Sequence, residues 1–521
     1  MPGDGRRYRF GPLERRGLVA GWRGGQIASV TAGLLLAVLA LRSRPSAATV
    51  AAAVLAVAGG VALAWWPVAG RTGEEWLPTV VRWGTAGRRG RRRLARAPAS
   101  GHCIGPDGRP CLASAGHGEG AGGAAGRGAP VRPAAAPGPF AQLALLSAAA
   151  QSGDEPVGVV LDRRNRTYTA ALEVRGHSFA LLGRREQDHR VTGWSAVLAA
   201  LARERSIVHR LQWVATTVPD DGAAVRGYLE ERHALPPEAA ARRSYDQLLA
   251  ASDASTCRHD VHLAVQVRAT GAGARATRAL GGGDRGACAV LLREVAALRR
   301  HLQDADVSVE RVLDDRALAA VIRRAGQDAP AVATTGDLEG GNAPRCPPCA
   351  VGWPWPMALE PEWGCIRADG TWHATYWIAE WPRVDVGPDF MGPLLLGSVR
   401  RTVAVVMEPM SPSRAVRQAE QARTADLADE ELRRRGGFLS TARRAKEAEL
   451  AGRREEELAD GHSSFRFSGF VTVTAPSRTA LAAGCEATEQ AAGQSRLELR
   501  RLYGDQEQGF ASSLPLGLGL R

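Results

Sequence analysis

Two blocks near the N-terminus are apolar without interruption. Gly24–Leu41 and Pro45–Val68 carry no charged residue, and only Arg42, Ser43 and Arg44 separate them. As helices they reach roughly 27 Å and 35 Å, against a bilayer hydrocarbon core of about 30 Å. So short a link forces an antiparallel hairpin whose outer ends lie on the same side. The first block could instead be a signal peptide ending at Val38-Leu39-Ala40, and the second an Ala-rich buried helix. A second span following at once, with strong positive charge after it, argues for two transmembrane helices over residues 24–68.

From about residue 150 the periodicity changes. Val157–Leu161, Tyr168–Val174, Ser178–Leu182, Val208–Val218, Asp260–Arg268, Val307–Leu313, Trp372–Trp381, Arg401–Met407 and Ser464–Thr474 read as strands. Between them, Glu186–Arg205 repeats at helical spacing, with Val191, Trp194, Val197, Leu198 and Leu201 on one face. Helices are also predicted at 220–233, 236–251, Ala287–Gln303 and Arg316–Ala325. A long charged stretch, Ser413–Ala459, is broken at Gly436-Gly437. A last helix is expected from Ser477, its candidate N-cap, to Tyr503. Strands alternating with helices predict an α/β (α+β) region. Its expected parts are a first subdomain at 151–326, a Pro/Gly/Cys-containing loop region at 327–370, and a second subdomain at 371–521. Residues 97–150 are rich in Gly, Ala and Pro and read as a flexible linker.

Charge sets the orientation. Sixteen arginines against four acidic residues in the first hundred positions supply +12 of the net charge of +13. They flank the hairpin, in the basic segment 1–23 and in the juxtamembrane segment 69–96. Positive residues stay inside, so the N-terminus and the C-terminal region are expected in the cytoplasm, at the cell membrane. Trp22, Trp65 and Trp66 fall at that boundary as an aromatic belt would, and Trp76 and Trp83 extend it. Arg88, Arg89, Arg91, Arg92 and Arg93 suit anionic lipid headgroups, at about 1 kcal/mol per residue near the surface. The rest of the chain is close to neutral, so nucleic acid is not an expected partner.

Catalytic chemistry is sparse. One of the 67 basic residues, Lys446, is a lysine, and no glycines surround it, which excludes a P-loop. Gly281–Gly286 matches G-x-G-x-x-G but does not directly follow a strand. Cys346-Pro-Pro-Cys349 with Cys365 and His373 has the composition of a Cys₃His zinc site, although the second pair is unusually spaced; surface-loop cysteines or a redox pair are the alternatives. Cys257, His259 and His262 alternate across a strand and do not converge. No cofactor and no enzymatic activity are expected.

Two stretches resemble a known family. Tyr168-Thr-Ala-Ala-Leu-Glu-Val, Gly193-Trp194 and His209-Arg-Leu-Gln-Trp213-Val form one, and Tyr503-Gly-Asp-Gln-Glu-Gln-Gly-Phe510-Ala-Ser-Ser-Leu-Pro-Leu-Gly517 the other. Together they resemble the N-terminal region of VirB4/TraC-type ATPases of type IV secretion and conjugation. In that family a similar last segment leads into the motor domain, which this chain is expected to lack. The hairpin with Gly70-Arg-Thr-Gly-Glu-Glu-Trp-Leu-Pro78 resembles membrane proteins of actinobacterial type IV-like loci. The likeness covers about residues 10–95 and 155–517, and no catalytic residue carries over. It implies a non-enzymatic membrane scaffold or coupling subunit that docks a separate secretion ATPase and other membrane subunits, with self-association open. The alternatives are the E-type membrane component of type VII secretion, and a membrane-tethered zinc enzyme or DNA-handling protein.

Overall fold

The computed structural model describes residues 24–43, 46–68, 71–88, 94–95, 102–104, 110–112, 137–149, 155–176, 179–219, 240–252, 257–326, 354–356, 358–435, 449, 452–453 and 455–519. Helices α1 (Gly24–Ser43) and α2 (Ala47–Trp65) form the hairpin. Ser46 starts α2 with a capping box: its hydroxyl accepts from the Thr49 N–H at 3.2 Å, while the Thr49 hydroxyl accepts from the Ser46 N–H at 2.8 Å. Both helices are long and apolar enough to cross a membrane, and only 11% and 17% of their most apolar windows are buried by the rest of the protein. A soluble core helix would be mostly covered. Here the bulky residues point outward and the small ones inward. A Cβ on Gly33 would come within 2.7 Å of the Ala56 carbonyl oxygen, and one on Gly60 within 2.8 Å of that of Ser29. Such backbone-to-backbone crossing is how helices associate in lipid.

The folded region is built on one 13-stranded sheet, antiparallel at every pair. Its strands are β1 (Leu94–Ala95), β2 (Leu143–Ala148), β3 (Val157–Asp162), β4 (Thr167–Arg175), β5 (Val208–Pro219), β6 (Cys257–Arg268), β7 (Ser308–Val312), β8 (Ala358–Pro361), β9 (Ile366–Ala368), β10 (Thr371–Glu380), β11 (Arg401–Met410), β12 (Ser464–Ala475) and β13 (Glu498–Arg501). The order is β1-β8-β9-β10-β12-β11-β5-β6-β4-β3-β2, with β7 paired to β4 and β13 to β10. The mixed class expected from the sequence holds, in its α+β form. The strands of 151–326 and of 371–521 meet directly, because Val405 of β11 lies opposite Trp213 of β5.

One face of the sheet is aliphatic. Leu172, Leu263 and Leu211 lie under Leu291, Val295, Leu298 and Leu302 of α7 (Gly283–Asp304), and Val197 and Leu201 of α4 (Arg184–Leu201) join them. Further along, Tyr376, Val403, Val471 and Val473 lie under Leu481 and Cys485 of α10 (Arg478–Gln494). Trp213 touches both clusters and makes them continuous. The opposite face is covered at one end by Leu318 and Ile322 of α8 (Asp315–Gly326), with Phe140, Trp355 and the C-terminal residues Phe510–Leu516. Helices α5 (Ala240–Ser252) and α9 (Pro412–Arg435) precede β6 and follow β11.

Several expectations are corrected. Ser178–Leu182 is not a strand: Phe179–Leu181 makes a single 3₁₀ turn that leaves Leu181 exposed. The helix from Ser477 does begin on that cap, with the Ala480 N–H donating to its hydroxyl at 3.1 Å, but it stops at Gln494 rather than Tyr503. Arg496 takes φ +57, the Leu497 N–H returns to the Ala492 carbonyl, and the chain leaves as β13. This is a Schellman stop with arginine where glycine would have advertised it. Strand β2 lies within the stretch read as linker, and β8 and β9 within the stretch read as loop. The helix expected at 220–233 falls outside the described residues.

Candidate functional site

The base of the hairpin, the sheet and the C-terminal segment converge on helix α3 (Gly73–Arg88). A two-pair ladder, Pro67–Thr72 and Val68–Arg71, turns the chain out of α2. The first turn of α3 then packs back on the hairpin: a Cβ on Gly73 would meet Leu63, and one on Gly25 of α1 would meet the Glu74 carboxylate. Gln26 ties the same end together, donating from Nε2 to the Ala64 carbonyl at 3.0 Å.

One face of α3 docks on the folded region. Trp76 stacks on Trp363 at 5.7 Å between ring centroids, and Trp83 meets Trp363 edge-on at 5.6 Å. Tyr503 completes the cluster, 6.3 Å from Trp363 and 6.1 Å from Trp76. Aromatic pairs of this kind add about 0.5–1.5 kcal/mol each beyond the area they bury. Between them the chain must come close. Gly504 has φ +72 and donates its N–H to the Trp363 carbonyl at 2.7 Å, and a Cβ there would strike Thr79 and Trp363. Arg82 pairs with Asp505. Burial pushes the nearby Glu507 carboxyl above its ordinary range, opposed by Arg82. Beyond α3, Leu94–Ala95 enters the sheet as β1, opposite Ala358–Leu359 of β8. The anchor therefore meets the sheet at two places before the Gly/Ala/Pro-rich stretch begins.

The C-terminal segment continues from this cluster across the second face of the sheet, where the strands present polar side chains. Gln506, at the start of α11 (Gln506–Ser512), uses its amide as a strand would: Oε1 accepts from the Thr375 N–H at 2.8 Å and Nε2 donates to the Thr375 carbonyl at 3.2 Å. Gln212 of β5 donates to the Ser512 and Leu514 carbonyls, both at 2.9 Å, and accepts from the Gly517 N–H at 2.7 Å. Arg210 donates to the Gly517 carbonyl at 3.0 Å, and Thr169 to that of Leu516 at 3.3 Å. Gly517 is at φ +67, and a Cβ there would lie 2.5 Å from Gln266 Nε2. The segment is held by side-chain amides reading backbone groups. Each such bond is worth about 1 kcal/mol net, and more is lost when one partner is stranded.

The residues singled out in the sequence are distributed as follows. Trp65 and Trp66 stay exposed at the end of α2. Trp76 and Trp83 turn toward Trp363 and Tyr503. Arg88 ends α3, whereas Trp22, Arg89, Arg91, Arg92 and Arg93 lie outside the described residues, as do Cys346 and Cys349. Cys365 and His373 are not brought together. Cys365 packs with Ala374 and Tyr376 on the aliphatic face, and its thiol donates to Glu362 at 3.4 Å. His373 points to the other face, against the Phe510 ring at 4.6 Å, with Nδ1 3.0 Å from the Thr474 hydroxyl. Burial, then Arg400, lowers the His373 pKa to about 3, and burial pushes the Cys365 thiol up to about 11. Both groups are neutral at pH 7. Among the described residues no cluster of three or more His, Cys, Asp or Glu side chains could hold a metal ion. Gly281–Gly283 form the left-handed turn between α6 (Ala272–Ala279) and α7, a helix–helix junction.

Sequence reasoning missed Trp363, Tyr503, Gln212 and Gln506 as positioning residues. Gln212, Tyr503 and Gln506 stand in the two stretches that carry the family resemblance, which marked them without giving a positioning role.

Comparison with known proteins gives one family match. Residues 255–378 match the family model described as "Putative type VII ESX secretion system translocon, EccE". The matched stretch runs from β6 through β10 and contains Trp363, on which α3 docks. No curated protein matches the chain.

Proposed function

We infer that this chain is a non-enzymatic membrane subunit of a type VII secretion translocon, anchored by the α1–α2 hairpin with its folded region in the cytoplasm. The match at 255–378 carries this reading. The hairpin supports it independently, with its outward bulky residues and its flanking arginines. The VirB4/TraC-like conjugation reading rests on residues 168–214 and 503–517, none of which lies in the matched stretch, and is set second.

In this reading the chain's work is mechanical. The hairpin fixes position in the bilayer, α3 transmits that position to the sheet through Trp363 and Tyr503, and the sheet presents surfaces to sister subunits and to a separate ATPase. The absence of a P-loop fits a subunit that borrows its motor. Affinity purification of the tagged full-length chain from detergent-solubilised native membranes tests the proposal. Recovery of type VII translocon subunits with their ATPase is expected. Recovery of a conjugation ATPase instead, or of the chain in the aqueous fraction, would overturn it.

A further inference from the structure

Helix α3 has a second face that the docking does not use. Trp76, Thr79 and Trp83 grip the folded region, whereas Leu77, Val80 and Val81 lie round the helix from them and remain 57%, 49% and 55% exposed. The spacing i, i+3, i+4 makes these three one stripe. Gly84 extends it with nothing within 4 Å of where a Cβ would be. Glu75 and Arg82 occupy other sectors of the helix, and Glu74, at the head of the stripe, turns against Gly25 of the hairpin.

The stripe continues an apolar surface that lipid already covers in the reading above. Alpha-3 begins against Leu63 and Gly25 at the base of the hairpin, and Trp65 and Trp66 stand exposed beside that junction. Its last residue, Arg88, opens the run Arg89, Arg91, Arg92 and Arg93 in the sequence. An amphipathic helix with an apolar stripe and basic residues at its end is suited to lie in the headgroup region.

We propose that α3 is an in-plane membrane helix, with Leu77, Val80 and Val81 sunk at the acyl boundary while the Trp76–Trp83 face holds the sheet. The folded region is then clamped flat against the bilayer, instead of hanging from a tether. The proposal rests on the membrane anchoring inferred above and adds the occupant of this face.

The test places photoreactive benzoylphenylalanine at Leu77, Val80 or Val81 of the full-length chain, reconstituted in phosphatidylglycerol-containing vesicles. Adducts are identified by mass spectrometry after irradiation. The same probe at Leu36 of α1 calibrates a spanning position, and at Arg299, exposed on α7, a solvent-facing one. Lipid adducts at the three positions, within about twofold of Leu36 and at least about fivefold above Arg299, are the expected result. Crosslinks between two copies would overturn the proposal and assign the face to self-association. No adduct at the three positions, with Leu36 positive, would overturn it and leave the face to water or another subunit. No lipid adduct at Leu36 would instead defeat the anchoring itself.

Discussion

The hairpin and the sheet solve opposite packing problems. In the sheet region Leu291, Leu298, Leu263 and Tyr376 are inside and most charged groups are outside, Arg401 and Asp162 being buried exceptions. In the hairpin Leu35, Leu39 and Leu55 face outward, and glycines make the contact. The same leucine side chain is thus a core residue in one region and a solvent-facing residue in the other. The difference locates the solvent: water surrounds the sheet, and hydrocarbon surrounds the hairpin. Alpha-3 stands at the junction and carries both patterns on one helix.

The largest expected break in this comparison comes from matched leucine truncations. Leu298→Ala, on the buried face of α7, should destabilise by about 2–5 kcal/mol. Leu55→Ala, at a position 71% exposed, should shift thermal unfolding in detergent very little. Equal losses at both sites would mean that the hairpin is a buried core element. Next in size is the glycine contrast. Gly60→Leu must push α1 away from α2, at about 1–3 kcal/mol, whereas Gly59→Leu meets nothing within 4 Å and should be silent. Protease resistance of the hairpin in detergent distinguishes the two.

Within the sheet, Gln212→Ala strands the Gly517 N–H and two carbonyls, and should cost about 1–3 kcal/mol. Hydrogen exchange at residues 509–517 should accelerate, with α7 unchanged. The smallest effect is a pH dependence. His373 is held neutral with a pKa near 3, below its ordinary 6.5, so the unfolded chain binds its proton first. Its stabilisation is present above pH 6.5 and is lost as pH falls from there toward 3. One pH unit below 6.5 the loss is about 1 kcal/mol. His373→Phe should reduce that slope in thermal melts between pH 7 and 5, leaving the part that His209 and His262 supply, since burial lowers their pKa values as well.

What the sequence made legible follows the range of the interactions involved. The hairpin was readable because charge and length are properties of contiguous residues, and most strands were readable because period-2 alternation is local. The end of α10 was not, since Arg496 adopts a conformation that glycine usually marks. Strand β2 was hidden by its Ala-rich surroundings. The docking of α3 was invisible for a different reason. Trp76 and Trp83 beside a membrane span read naturally as belt residues, and their partners Trp363 and Tyr503 are distant in the chain. The polar face was likewise unreadable: Gln212, Gln506 and Thr375 look like ordinary surface residues until the segment they hold is in place.

Protease protection tests the central claim most directly. Cells producing the full-length chain are converted to intact spheroplasts and, separately, to inside-out vesicles, and each is treated with protease after alkaline washing of a matched sample. The account predicts that residues 155–519 resist digestion in spheroplasts, are cut in inside-out vesicles, and stay with the membrane pellet through the wash. Digestion from outside intact spheroplasts, or release of the chain into the wash, would contradict it.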